Sequence, residues 1–261
     1  MAENPTKTQI EKLGQRLREG PSTDEDLRLL DEYRRSFDAA YETVARGIRE
    51  QLELAVSGRR AKTEVSIVAK LRRGSTKLSQ MQDIAGCRIL VPDYADQERI
   101  VESICGLFPG SKVFDRRENT SHGYRAVHVV ARIEGQPVEI QIRTELQHLW
   151  AQTSEWLADK FGQAIKYGGG DEAIRKHLTD TSTLCKVTED YERRVIGIED
   201  CERMFISVHN RLMESCSGTI KFRYFAAILL MQRIVRANLT QLMDQSDNFR
   251  VIAEKVEWLD S

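Results

Sequence analysis

Several marks of common function classes are missing from this 261-residue chain. Its five cysteines, at positions 87, 105, 185, 201 and 216, form no CxxC pair and stand in no metal-ligand spacing with histidine. That excludes a zinc module and a thioredoxin-like redox motif. An odd, scattered set points instead to a reducing compartment and buried thiols. No apolar run approaches the ~20 residues a membrane span needs. The polar start MAENPTKTQIEKL lacks the apolar stretch of a secretory signal. These absences predict a cytoplasmic protein with no membrane association. The net charge of −1 excludes global basicity as a nucleic-acid signal and leaves only local patches to consider. There is no GxxxxGK loop followed by Ser or Thr, so any nucleotide has to be held by side chains rather than by a glycine cradle. No His-Asp pair, GxSxG or HExxH occurs, and none of the histidines at 122, 128, 148, 177 and 209 is in ligand spacing with another, which argues against hydrolytic chemistry.

What is present supports a sizeable core under a well-solvated surface: 41% of residues are hydrophobic and 30% charged. A weak helix fits the first twenty residues and ends at Gly20-Pro21. Ser22-Thr23-Asp24 offers capping chemistry for one long helix over residues 25–56, with Leu27, Leu30, Tyr33, Phe37, Tyr41, Val44 and Ile48 at helical spacing. After Gly58 the pattern predicts a basic helix running to Arg73. Then come a strand over 87–91, a helix over 96–108, a strand over 112–116 and a hairpin. The hairpin pairs Ala126–Ile133 with Val138–Ile142 across the tight turn Glu134-Gly135-Gln136. From Thr144 on only helices fit, over 144–161, 171–195, 198–216, 219–243 and 246–259, with a break at Gly168-Gly169-Gly170. This order predicts an α+β fold with a mixed sheet flanked by helices. It divides into N-terminal helices over 1–57, a core over 58–167 and a helical C-terminal extension over 168–261.

The hairpin carries the most chemistry. Glu139, Gln141 and Arg143 are two apart on the second strand and so leave one face, while Val138, Ile140 and Ile142 leave the other. Tyr124 opens the first strand, where it can either stack under a nucleobase or join the core. His128 lies four residues on, able to bind phosphate or pair with a carboxylate. Asp83 and Glu139 can together hold Mg²⁺ with a substrate triphosphate, or one of them can accept a proton from an attacking hydroxyl. Alternatively, Asp83 caps backbone amides and Glu139 pairs with Arg88 or Arg143. Ahead of these stands a basic stretch of Arg59, Arg60, Lys62, Lys70, Arg72 and Arg73. If it is helical, Lys62, Ser66 and Lys70 share one face, either as a row of phosphate donors or as a solvated surface. Trp150, Trp156 and Leu157 read most simply as core.

Taken in order, these segments carry a resemblance. Arg60-x-Lys62-x-x-x-Ser66-Ile67-x-x-Lys70 comes first, then Asp83-Ile84-Ala85-Gly86-x-Arg88-Ile89. Gly123-Tyr124-Arg125-Ala126-Val127-His128 follows, and then Val138 to Thr144 with His148-Leu149-Trp150. The series resembles the RelA/SpoT-type alarmone synthetases over roughly residues 55–165, without the hydrolase and regulatory regions of the long members.

The resemblance implies a nucleotidyltransferase-like fold and a pyrophosphokinase reaction, in which the β,γ-diphosphate of ATP passes to a ribose 3′-hydroxyl of GDP or GTP and AMP leaves. It implies Asp83 and Glu139 as catalytic residues and Mg²⁺ ligands, and Arg60, Lys62, Ser66, Lys70 and Arg88 around ATP. It places Tyr124, His128, Gln141, Arg143 and His148 around the acceptor. Homo-oligomers, often tetramers, are common among such small synthetases, and some have an antitoxin partner.

One departure concerns the acceptor. Many members that use GDP or GTP carry a Tyr-Ile-x-x-Pro-Lys stretch before the Gly-Tyr pair, whereas here Phe114 to His122 has neither proline nor lysine and includes Arg116 and Arg117. The 3′ end of tRNA or an adenosine nucleotide therefore stays open as acceptor. Residues 220–243 carry Lys221, Arg223, Arg233 and Arg236 with no acid among apolar residues that include Phe222 and Phe225. Such a helix suits either a tRNA backbone or a packing interface.

Overall fold

The computed structural model describes residues 5–59, 61–74 and 76–215. Helix α1, Lys7–Glu19, opens on a capping box in which Thr6 and Gln9 exchange hydrogen bonds. The single long helix expected over 25–56 is two helices, α2 (Asp24–Arg35) and α3 (Asp38–Gln51). Thr23 caps α2 as expected. The break falls where the Ser36 hydroxyl donates to the Tyr33 carbonyl (2.7 Å) and Phe37 turns fully inside, edge-on to Tyr33 at 5.2 Å. Apolar spacing continues across the break because both helices feed one core, so periodicity alone does not register it.

The helix expected after Gly58 starts late. Ser57–Arg59 is a short strand, β1, paired antiparallel with β2 (Ala85–Val91) in the register Ser57↔Arg88. Gly58 is required there: its φ is +152°, and an added Cβ would lie 2.6 Å from the Gly86 carbonyl. Helix α4 runs only over Glu64–Arg73, capped by Thr63. Helix α5 is Tyr94–Leu107, β3 is Lys112–Asp115, β4 is Val127–Ile133 and β5 is Gln136–Thr144. Positive φ at both Glu134 (51°) and Gly135 (85°) makes the hairpin turn the two-residue kind whose twist matches the strands.

The strands form one five-stranded mixed sheet in the order β1-β2-β5-β4-β3, flanked by helices, an α+β fold. On β5 the alternation holds: Val138, Ile140 and Ile142 are fully buried, and Glu139 and Gln141 are not. The chain divides into two compact units, Met1–Ile89 with Ile100–Phe114 and His128–Ile142, and Leu90–Arg99 with Asp115–Val127 and Arg143–Ser261.

Within the second unit, α6 (Glu145–Phe161), α7 (Glu172–Glu192) and α8 (Ile198–Ser215) follow one another. Leu146, Trp150, Leu157, Ile174, Leu178 and Cys185 share a core there. Trp150 and Leu157 are thus core residues, and Trp156 packs partly buried against the same cluster. No helix among the described residues is long and apolar enough to cross a membrane. The helices expected over 219–243 and 246–259, with Lys221, Arg223, Arg233 and Arg236, lie outside the described residues, as do Arg60 and Cys216.

Candidate active site

In the first unit the chain builds an acidic centre within a basic collar. Asp83 stands two residues ahead of β2, and the Nζ atoms of Lys62 and Lys70 each lie 2.8 Å from its Oδ2. Lys62 precedes α4 rather than sharing a helical face with Ser66 and Lys70. Its backbone is pinned on both sides: its N–H donates to the Ile84 carbonyl (2.6 Å), and its own carbonyl accepts from Arg34 Nε (2.8 Å). The two lysines therefore converge from a loop and a helix. Ser66 is turned to another task, its hydroxyl sharing a hydrogen bond with Thr63 Oγ1 (2.7 Å) at the helix cap. Arg72 is taken by the carbonyls of Leu17 (3.1 Å) and Gly20 (2.7 Å) at the end of α1. Arg88 leaves β2 on the same side as Gly86.

Burial works to raise the Asp83 pKa, but the charges of Lys62 and Lys70 and their hydrogen bonds prevail and hold it down at about 2. Glu139 is similarly balanced. Burial and the Asp83 charge oppose its ionisation, and the His128 hydrogen bond and charge, with Gln141, pull its pKa below the ordinary carboxylate value. His128 Nδ1 donates to Oε1 (2.9 Å) and Gln141 Nε2 to Oε2 (2.8 Å). Glu139 thus pairs with a histidine and an amide rather than with Arg88 or Arg143, and Asp83 with two lysines rather than with backbone amides. The two carboxylates are close enough to feel each other's charge. Strands β2 and β5 are neighbours here, and Gly86 packs so tightly that an added Cβ would lie 2.8 Å from the Glu139 carbonyl.

The donor set fits Mg²⁺ in the form that a nucleotide completes. Among the described residues no three His, Cys, Asp or Glu side chains gather into a cage. Mg²⁺, however, is commonly held by one or two carboxylates plus substrate phosphates. Asp83 Oδ1 is buried and receives no hydrogen bond from any described residue, an orphaned acceptor of the kind a cation satisfies.

In the second unit Tyr124 closes a tight loop, bridged to Ser121. Two left-handed residues, His122 (φ 53°) and Gly123 (φ 89°), make that loop. The Tyr124 hydroxyl accepts from Arg143 Nη2 (2.8 Å), and its half-buried ring stands edge-on to Trp150 at 6.5 Å. His148 sits half-buried on the first turns of α6. Arg117, one of the two arginines near the missing Pro-Lys stretch, is buried and committed. It grips Asp115, Glu98 (2.6 Å) and Gln97 (3.1 Å) and lies 4.3 Å over the Tyr94 ring. Residue-by-residue reading missed Arg125, buried against Glu189, because its partner is 64 positions away.

Residues 59–159 match the family model described as the region found in RelA/SpoT proteins. The chain carries a RelA/SpoT region. This bears out the resemblance drawn from the motifs, and the region spans every candidate site residue from Arg60 to His148. Uncharacterized proteins of Mycobacterium tuberculosis and Mycobacterium bovis are 44% identical over 126 residues, 47% of this chain and 46% of theirs. The match thus spans about half the length of these curated relatives. Among solved structures, the small alarmone synthetase 1 from Bacillus subtilis is 27% identical, with a TM-score of 0.48, over 66% of this chain and 96% of that one. A GTP pyrophosphokinase family protein from Streptococcus pneumoniae is 25% identical, with a TM-score of 0.47, over 70% and 98%.

Proposed function

We propose that this chain is an ATP-dependent pyrophosphokinase that moves the β,γ-diphosphate of ATP to the 3′-hydroxyl of GDP or GTP and releases AMP. The observation that carries the reading is the acidic pair Asp83 and Glu139, set against Lys62 and Lys70 (both 2.8 Å from Asp83) inside a RelA/SpoT region. Diphosphoryl transfer asks for positioning and charge neutralisation rather than covalent catalysis. Lys62, Lys70 and Arg88 supply cations for the donor phosphates, and the two lysines exchange their Asp83 contacts for phosphate oxygens when ATP binds. Asp83 and Glu139 would hold Mg²⁺, which when bound neutralises charge on the triphosphate. Glu139, ionised and fixed by His128 and Gln141, accepts a hydrogen bond from the 3′-hydroxyl and takes its proton late. A carboxylate held low is a weak base, which suits a loose transition state in which the attacking oxygen gives up little charge. Tyr124 supplies a stacking surface for the acceptor base, its hydroxyl steadied by Arg143.

Product analysis with γ-labelled ATP against GDP, GTP, ADP, ATP and deacylated tRNA tests this directly. Label on GDP or GTP, lost in Glu139→Gln while ATP binding persists, is the expected result. Label on tRNA alone would replace the guanosine acceptor, and transfer to nothing would remove the enzyme reading.

A further inference from the structure

The loop that carries Tyr124 is gripped at both ends by α7, a helix outside the RelA/SpoT region. At one end the Ser182 hydroxyl donates to the Gly123 carbonyl (2.7 Å). Gly123 is packed so closely that an added Cβ would lie 2.8 Å from Trp150 and 3.2 Å from Ser182. At the other end Arg125, 5% exposed, forks onto Glu189, also 5% exposed. Its Nε reaches both carboxylate oxygens (3.0 and 3.2 Å), and its Nη2 bonds Oε2 as well. Glu189 Oε1 accepts in addition from Gln147 Nε2 (2.9 Å), and Gln147 Oε1 accepts from Gln97 Nε2 (2.8 Å). Trp150, against which the Tyr124 ring rests, donates its indole N–H to the Leu178 carbonyl of α7 (2.8 Å). Leu178, Ser182, Cys185 and Glu189 recur at helical spacing, so one stripe of α7 makes all these contacts.

A buried arginine–carboxylate pair is an inefficient way to add stability, since apolar residues of the same volume often do as well or better. What a forked, fully bonded pair does supply is a fixed geometry. We propose that α7 carries the acceptor platform, with Ser182 and Glu189 as positioning residues that set the plane of the Tyr124 ring for the acceptor base. This rests on Tyr124 being the acceptor's stacking surface, as proposed above. The helix just past the RelA/SpoT region would then govern acceptor use while taking no part in donor binding.

The test uses the full chain with Ser182→Ala, Glu189→Ala, Glu189→Gln and Tyr124→Ala, each assayed for transfer with ATP and the acceptor varied in turn. Glu189→Ala is expected to lower kcat/KM for the acceptor roughly 10- to 100-fold, the scale of a small misplacement of a reacting group, with KM for ATP nearly unchanged. Glu189→Gln, which keeps a hydrogen-bonding oxygen for Arg125, recovers part of that loss. Ser182→Ala removes a single hydroxyl, folds if any of these variants does, and is expected to cost about fivefold on the acceptor side. Hydrogen exchange over residues 121–126 should quicken in Ser182→Ala and Glu189→Ala.

Parallel losses for both substrates, or unchanged exchange over 121–126, would overturn the role of α7. An acceptor response to Tyr124→Ala without one to Ser182→Ala or Glu189→Ala overturns it too and leaves the platform itself standing. No acceptor response to Tyr124→Ala removes the platform reading, and the role of α7 with it.

Discussion

His128 on β4 and Glu139 on β5 face each other across neighbouring strands, with Nδ1 2.9 Å from Oε1. Burial opposes ionisation of Glu139, and the histidine is the main influence pulling its pKa down. In His128→Ala the Glu139 pKa should therefore rise, and the acid limb of the pH–rate profile should move to higher pH. Profiles of kcat/KM for wild type and His128→Ala that superimpose would show that the pair does not set Glu139 ionisation.

Asp83 makes a testable contribution to acid stability. Its pKa falls from 3.8 to about 2 on folding, so the unfolded chain binds the proton more readily. Stability from this group is complete above the unfolded value and is lost as pH falls through the folded one. The difference corresponds to about 2 kcal/mol. Urea unfolding between about pH 5 and pH 2 should show a smaller loss in Asp83→Asn than in wild type, the mutant having lost its pairing with Lys62 and Lys70 at every pH. Equal losses would mean that the two lysines do not favour the Asp83 charge.

Tyr124→Phe and Tyr124→Ala separate ring from hydroxyl. The alanine variant should weaken acceptor binding by about 1–3 kcal/mol, the usual loss of one base-stacking contact, with ATP binding unaffected. Phenylalanine keeps the ring and loses the Arg143 hydrogen bond, so it should retain most of the affinity. Isothermal titration with each nucleotide reads both. Equal weakening for ATP and acceptor would assign Tyr124 to structure alone.

Gly123→Ala should be destabilising on two grounds, a φ of +89° and the Trp150 ring 2.8 Å from the new Cβ. A cost of roughly 1–3 kcal/mol is expected from the strained backbone alone. Thermal unfolding checks it, and an unshifted midpoint would mean that the loop is not held against Trp150.

The elements legible in the sequence are those in which local pattern and burial coincide. The β4–β5 hairpin was readable because one face of β5 is core, so apolar and polar residues must alternate along it, and because Glu134-Gly135 offers the positive-φ turn that two-residue hairpins need. The break at Ser36-Phe37 was not, since α2 and α3 keep their apolar residues in phase across it. Strand β1 has three residues, too few to show a period. The basic pattern after Gly58 reads as one helix that would include Lys62, yet the Thr63 cap leaves Lys62 in the loop. The convergence of Lys62 and Lys70 on Asp83, and the choice of His128 and Gln141 as Glu139's partners, depend on which strands become neighbours, which spacing along one strand does not encode.

The amino-acid sequence alone determined the β4–β5 hairpin and most of the helices around it, the buried and open faces of β5 and the series of motifs that resembles the RelA/SpoT synthetases over roughly residues 55–165, where the family model matches residues 59–159. Those properties follow from contacts a few residues apart. Only the tertiary structure decided that two lysines neutralise Asp83, that Arg117 is held by acids rather than left for a ligand, and that Arg125 meets Glu189 from 64 positions away. Charges buried from water must find partners wherever the fold brings them, and distance along the chain has no say in which partner is near.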